Sequence, residues 1–149
     1  MLAFSVQEEH VKDFMQHLFS QDTFIDFEVR GVVLHSFTYF EISGEKAALP
    51  EDGKSYCTWG ELRPYVRNIL KGRDKPRLMK LVFARPSPET LHPNAAALFL
   101  NITYEGDKGL VCTTAASQKK FEMDKSMDGS WDNWARDFFM QKGINAAQM

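Results

Sequence analysis

The sequence predicts a single α+β domain, with three helices packed on a mostly antiparallel sheet of about five strands in the order β-α-β(β)-α-β-β-β-α. Three observations carry that expectation. Apolar residues recur at the helical period in three separate stretches. Between them lie short runs rich in Val, Phe, Ile and Thr, at strand length. Gly106-Asp107-Lys108-Gly109 joins two such runs as the clearest hairpin turn of the chain. A chain of 149 residues fits one domain, and a hydrophobic fraction of 44% with 13% aromatics excludes a disordered one.

The first strand is expected at Leu2 to Phe4, and Ser5 with Glu8 has the spacing of a capping box that opens a helix. Val11, Phe14, Met15, Leu18 and Phe19 then form an amphipathic stripe that ends near Ser20. Phe27 to Ile42 is β-rich but has no cleanly polar face. It is one strand bent at Gly31 or near Ser36, or two strands. Residues 43–55 form an exposed loop. Thr58 and Glu61 make a second capping box, followed by Leu62, Tyr65, Val66, Ile69 and Leu70, with Gly72 placed to end the helix. Leu78 to Ala84 is a strand, and residues 86–94, with three prolines, a loop. Leu98 to Glu105 and Leu110 to Ala115 flank the hairpin turn, and Phe121 to Met123 adds a short strand. The last helix starts after Asp124 or Ser126, carries Met127, Trp131, Trp134, Ala135 and Phe138 on one face, and ends at Gly143, leaving 144–149 as a frayed tail.

Composition excludes several classes. The longest apolar run, Ala95 to Leu100, is far short of the roughly 20 residues of a membrane span. The N-terminal segment lacks the basic region of a secretory signal. Two cysteines without C-x-x-C spacing build neither a zinc site nor a disulfide scaffold, so a cytoplasmic setting is expected. No metal or cofactor site is expected either. His10 and His17 lie seven residues apart on one helix, about 10 Å along its axis and too far to share an ion. His35 and His92 have no identifiable partner. No Walker loop, dinucleotide fingerprint or Ser-His-Asp arrangement occurs.

Charge is the one functional lead. Residues 63–85 hold eight of the eighteen Lys and Arg residues against one acid, a formal +7. Residues 1–62 carry four bases and eleven acids, and residues 86–149 six and eight. Arg63, Arg67 and Lys71 run along one side of the second helix, drifting by about 40° per step. Strand alternation splits Lys80 from Arg77 and Arg85. The surviving patch is Arg63, Arg67, Lys71, Arg73, Lys75 and Arg77. One reading is an anion site for a phosphate-bearing small molecule or an acidic protein surface. Another is a solvated face whose cations meet a helix C-terminus. A third is pairing with the acidic first 62 residues, within one chain or across a homodimer. The acidic remainder of the chain disfavours extended DNA or RNA.

Cys57-Thr58-Trp59-Gly60-Glu61-Leu62-Arg63 also satisfies C-x-x-G-x-x-R, the pattern of cysteine phosphatases. There a thiolate sits among backbone amides at a helix start and the Arg grips phosphate. Glu61 and Pro64 depart from that chemistry, and the Thr58–Glu61 capping box accounts for the same residues.

Several segments together carry a family resemblance. They are Lys12-Asp13-Phe14-Met15, Asp22-Thr23-Phe24, Trp59 with Glu61-Leu62-Arg63-Pro64, and Lys71-Gly72. They continue with Phe99-Leu100-Asn101-Ile102, Tyr104-Glu105, Cys112-Thr113-Thr114, Asp124-Lys125 and Trp131-Asp132. The chain resembles a family of short bacterial proteins known only as a domain of unknown function. That resemblance implies a single cytoplasmic domain and no particular mechanism. The β-α-β opening is also similar to the start of a DNA sliding-clamp domain, as an analogy of fold alone. The resulting expectation is a non-enzymatic module binding an anion or acidic surface through the basic patch. The alternatives are a phosphatase-like enzyme using Cys57 and Arg63, or a self-associating structural protein.

Overall fold

A computed structural model describes residues 1–48, 53–71 and 76–149 of the chain. Along them run β1 (Ala3–Val6), α1 (Glu8–Phe19), β2 (Glu28–His35), β3 (Tyr39–Ser43) and α2 (Trp59–Leu70). They are followed by β4 (Leu78–Ala84), β5 (Ala95–Glu105), β6 (Gly109–Gln118), α3 (Ser126–Gln141) and β7 (Ala147–Gln148). The strands form one seven-stranded sheet in the order β3-β2-β4-β5-β6-β1-β7, with every neighbouring pair antiparallel. All three helices pack on one face of it.

The α+β expectation holds, and the extra strands have identifiable causes. The segment from Phe27 to Ile42 is both bent and divided. A bulge between Val29 and Gly31 shifts its register against β4, and a tight turn at Ser36–Thr38 starts β3. Because a bulge reverses side-chain parity, Val29, Val32 and Leu34 all face the helices. That is why neither parity looks polar in the sequence. At the other edge, the tail expected to fray pairs with β1 instead: Phe4 opposes Gln148 and Ser5 opposes Ala147.

Helix starts divide in the same way. Thr58 caps α2, its hydroxyl accepting from the Glu61 amide while the Glu61 carboxylate accepts from the Thr58 amide. Ser5 does not cap α1. It lies within β1, opposite Val111 and Ala147, and Gln7 takes the cap position without a side-chain bond. Extension of β1 to Val6 moves the start of the helix past Ser5. Two acids, Glu8 and Glu9, still meet the positive end of its dipole. The strand expected at Phe121–Met123 is an exposed loop, because Gln118 and Asn94 side chains bond the backbone of Glu122 and Lys120. Gly72, expected to end α2, lies outside the described residues.

The core is aromatic and continuous. Phe24 packs on Phe14, Phe27, Phe83 and Phe138 at centroid distances of 5.7–5.9 Å. Trp131, Trp134 and Phe138 stack along α3 at 5.2 and 5.0 Å. Each fully buried Phe or Leu contributes about 1.5–3 kcal/mol through removal from water. Trp59, fully buried, donates its indole N–H to the Leu18 carbonyl at 2.6 Å and so binds the end of α1 to the start of α2.

Gly44 marks the tightest approach in the fold. A Cβ there would lie 1.5 Å from the Val29 carbonyl oxygen, whereas one at Gly31 would meet nothing within 4 Å. Gly44→Ala is therefore expected to cost about 3 kcal/mol, since the backbone must part to admit it. Gly31→Ala should leave stability unchanged or slightly raised. Urea unfolding midpoints for the two variants check this; coincident midpoints contradict the assignment.

Candidate functional site

Of the basic block, Arg63 is engaged within the fold. The Arg63 guanidinium turns back to donate to the Gln21 carbonyl, with the Leu18 carbonyl at 3.5 Å. Its charge thus sits at the negative end of the α1 dipole, against the carbonyl of Gln21 just past the helix and beside that of Leu18, which Trp59 already bonds. Arg67 and Lys71 are exposed on α2, and Arg77 is exposed where the chain enters β4, its amide donating to His35. Arg73 and Lys75 lie outside the described residues. Beyond the patch, Lys80 stands on the helix-free face between Val33 and Thr103, while Arg85 lies 4.9 Å from the Trp134 ring. Strand alternation separates these charges as the sequence implies.

Cys57 does not acquire a phosphate cradle. Its carbonyl accepts from Val29 and its amide donates to Gly44, both at 2.8 Å, so it continues the sheet beside β2. The next amides are also committed: Trp59 donates to Phe27 at 2.9 Å and Gly60 to Ile25 at 3.1 Å. With Arg63 engaged at α1, the three parts of a phosphate-gripping loop do not converge. The other thiol, Cys112, is buried in the core, and burial pushes its pKa far up, away from thiolate chemistry. No group of three or more His, Cys, Asp or Glu side chains among the described residues is placed to hold a metal. His17 bonds Thr23 at 2.7 Å, and burial lowers its pKa against the opposing pull of Asp13.

What the fold does assemble is a cleft of about 720 Å³ at the end of the sheet where β5 turns into β6. Val11, Met15 and Phe19 of α1 line it together with Leu70 of α2, Met79 of β4 and Tyr104 of β5. The α1 stripe is wider than the surface that the sheet offers it. Phe14 and Leu18 are buried, whereas Val11, Met15 and Phe19 stay half-buried and face the opening. Lys12 and Lys108 stand among the lining residues with Glu8 and Asp107. Lys108 lies 3.5 Å from Glu105. Lys12 has no ion pair among the described residues. Leu70 and Pro76, which bracket the centre of the basic block, line the same cleft. The sequence shows Val11, Met15 and Phe19 only as part of an amphipathic stripe and does not single out Lys12 or Lys108 as site residues. Their only signal was a stripe broader than one sheet contact requires.

These features define a two-layer α+β domain whose helices leave an apolar cleft at one end. The model described as "Family of unknown function (DUF5721)" matches residues 17–146 of the 149, and the chain belongs to that family. No curated protein and no solved structure matches it. No helix among the described residues is long and apolar enough to cross a membrane.

Two predictions follow from these contacts. Trp59→Phe removes the donor to the Leu18 carbonyl and should cost about 2 kcal/mol, a loss visible in denaturant unfolding. Glu28 responds to pH. Burial raises its pKa, partly offset by Arg30 and Lys54. A carboxyl with a raised folded pKa contributes its stability below the unfolded pKa and loses it as pH rises through the folded one. Glu28→Gln should therefore stabilise the protein at neutral pH and have no effect below the carboxylate range. Thermal midpoints at pH 3 and pH 7 test the sign.

Proposed function

We propose that the chain is a non-enzymatic binding module for a small, mostly apolar molecule carrying one anionic group, held in the cleft between α1 and the β5–β6 turn. The observation that carries this reading is the cleft itself, about 720 Å³ with apolar walls and Lys12 among its lining residues. Ligand sites commonly occupy about 300–1,000 Å³ and combine apolar lining with a few orienting polar groups. Lys71 and Arg77 directly follow two lining residues, Leu70 and Pro76, so the basic block adds positive potential near the opening. Glu8 and Asp107 beside the lysines suit a small anion better than a long polyanion. This reading moves the anion site away from the six residues expected from the sequence: Lys12 and Lys108 at the rim are new, and of the six only Lys71 and Arg77 adjoin lining residues. A reducing, cytoplasmic setting accords with two free thiols.

Anilinonaphthalene sulfonate, an apolar body with one sulfonate, serves as the probe. Saturable one-to-one binding is expected. Met15→Trp, which fills the cleft, should weaken it by about tenfold or more, equivalent to about 1.4 kcal/mol. Lys12→Glu should weaken it several-fold at low salt and less at about 1 M, where screening is short-ranged. Arg67→Glu should have little effect. Undiminished binding in Met15→Trp rejects the cleft as the site.

A further inference from the structure

The face of the sheet turned away from the helices carries an arrangement that the cleft does not involve. The bulge between Val29 and Gly31 places Arg30 on that face. Its guanidinium carbon lies 4.0 Å from the centroid of the Tyr56 ring and 5.6 Å from that of Phe99. Phe99 belongs to β5, so the side chain reaches across β4. Ala84, which stands between Glu28 and Phe99 in register, is fully buried. The position beside Arg30 is Gly31, where an added Cβ would meet nothing within 4 Å. A long charged side chain is thus fixed against aromatic rings next to open space.

A guanidinium stacked on rings keeps its in-plane N–H donors available. None of those donors has a hydrogen bond or ion pair among the described residues, and the Nε atom is buried without a partner. Glu28 is near enough to interact electrostatically, yet no oxygen of it comes within ion-pair distance. Such a donor set is incomplete until an acceptor arrives.

We infer that Arg30 is the recognition group of a second site, on the helix-free face of the sheet, for a small molecule bearing one carboxylate on an apolar body. A single planar fork matches the two oxygens of a carboxylate. A dianionic phosphate has only this one guanidinium to meet, and Glu28 repels it more strongly. Phe99 and Val82, half-buried on the same face, offer the apolar part of the ligand a floor. This site is independent of the cleft.

Benzoate is the probe, titrated at constant ionic strength into protein labelled with ¹⁵N-arginine. The Arg30 Nε–H resonance should shift saturably, and do so equally in the cleft-filled Met15→Trp background. Ligand-observed binding should weaken at least tenfold in Arg30→Lys, which keeps the charge and loses the fork. It should strengthen several-fold in Glu28→Gln. The wild-type titration needs no variant, so a misfolded substitution leaves the test intact. A non-saturating shift, the same shift with chloride, or displacement of benzoate by equimolar inorganic phosphate overturns the assignment.

Discussion

The hydrogen bond from the Trp59 indole to the Leu18 carbonyl joins the parts on which the rest of the structure depends. A helix ends with carbonyls that have no partner inside it, and a buried end must find donors elsewhere. Here α2 supplies them twice, through Trp59 and through Arg63 one turn later. Trp59 also packs on Phe83 of the sheet at 5.3 Å and on Phe19 of α1 at 5.6 Å. One side chain therefore fixes two helices and a strand relative to one another. Phe19 and Leu70, which both line the cleft, belong to the two helices that this joint connects.

Much of the fold was legible where a local cause decided the outcome. The capping box at Thr58 and Glu61 announced α2 because both bonds lie within four residues, and the Gly106–Gly109 turn announced the β5–β6 pair. Misreadings arose where distant partners decided. Ser5 has the pattern of a cap but is claimed by strands more than 100 residues away. Ala147 and Gln148 look like a loose end and are held by β1. The site was legible least of all. Val11, Met15 and Phe19 have the period of core residues, and only the limited area of sheet beneath α1 leaves them facing an opening. Arg63 illustrates the converse: a charge in a basic run that proves to be a structural donor.

The two faces of the sheet treat arginine differently. On the helix side Arg85 settles against Trp134 and bonds Thr90 at 3.4 Å through a terminal nitrogen, while its Nε, like that of Arg30, is buried without a partner among the described residues. On the other side Arg30 stacks on aromatic rings with no acceptor for its donors among the described residues. A single bulge makes this possible. It keeps Val29, Val32 and Leu34 in the core while releasing the intervening Arg30 to the opposite face.

The pairing of β1 has a consequence for how the chain is made. Residues 3–6 are made long before their neighbours in the sheet, which are Leu110–Thr113 on one side and Ala147–Gln148 on the other. Domains acquire their structure as units once the necessary segments are available. β1 must therefore wait without these partners until residue 110 and then residue 148 have been made, while the β2–β4–β5 ladder can assemble ahead of it. Completion of this edge of the sheet is a closing step, in which β1 is trapped between two segments made after it.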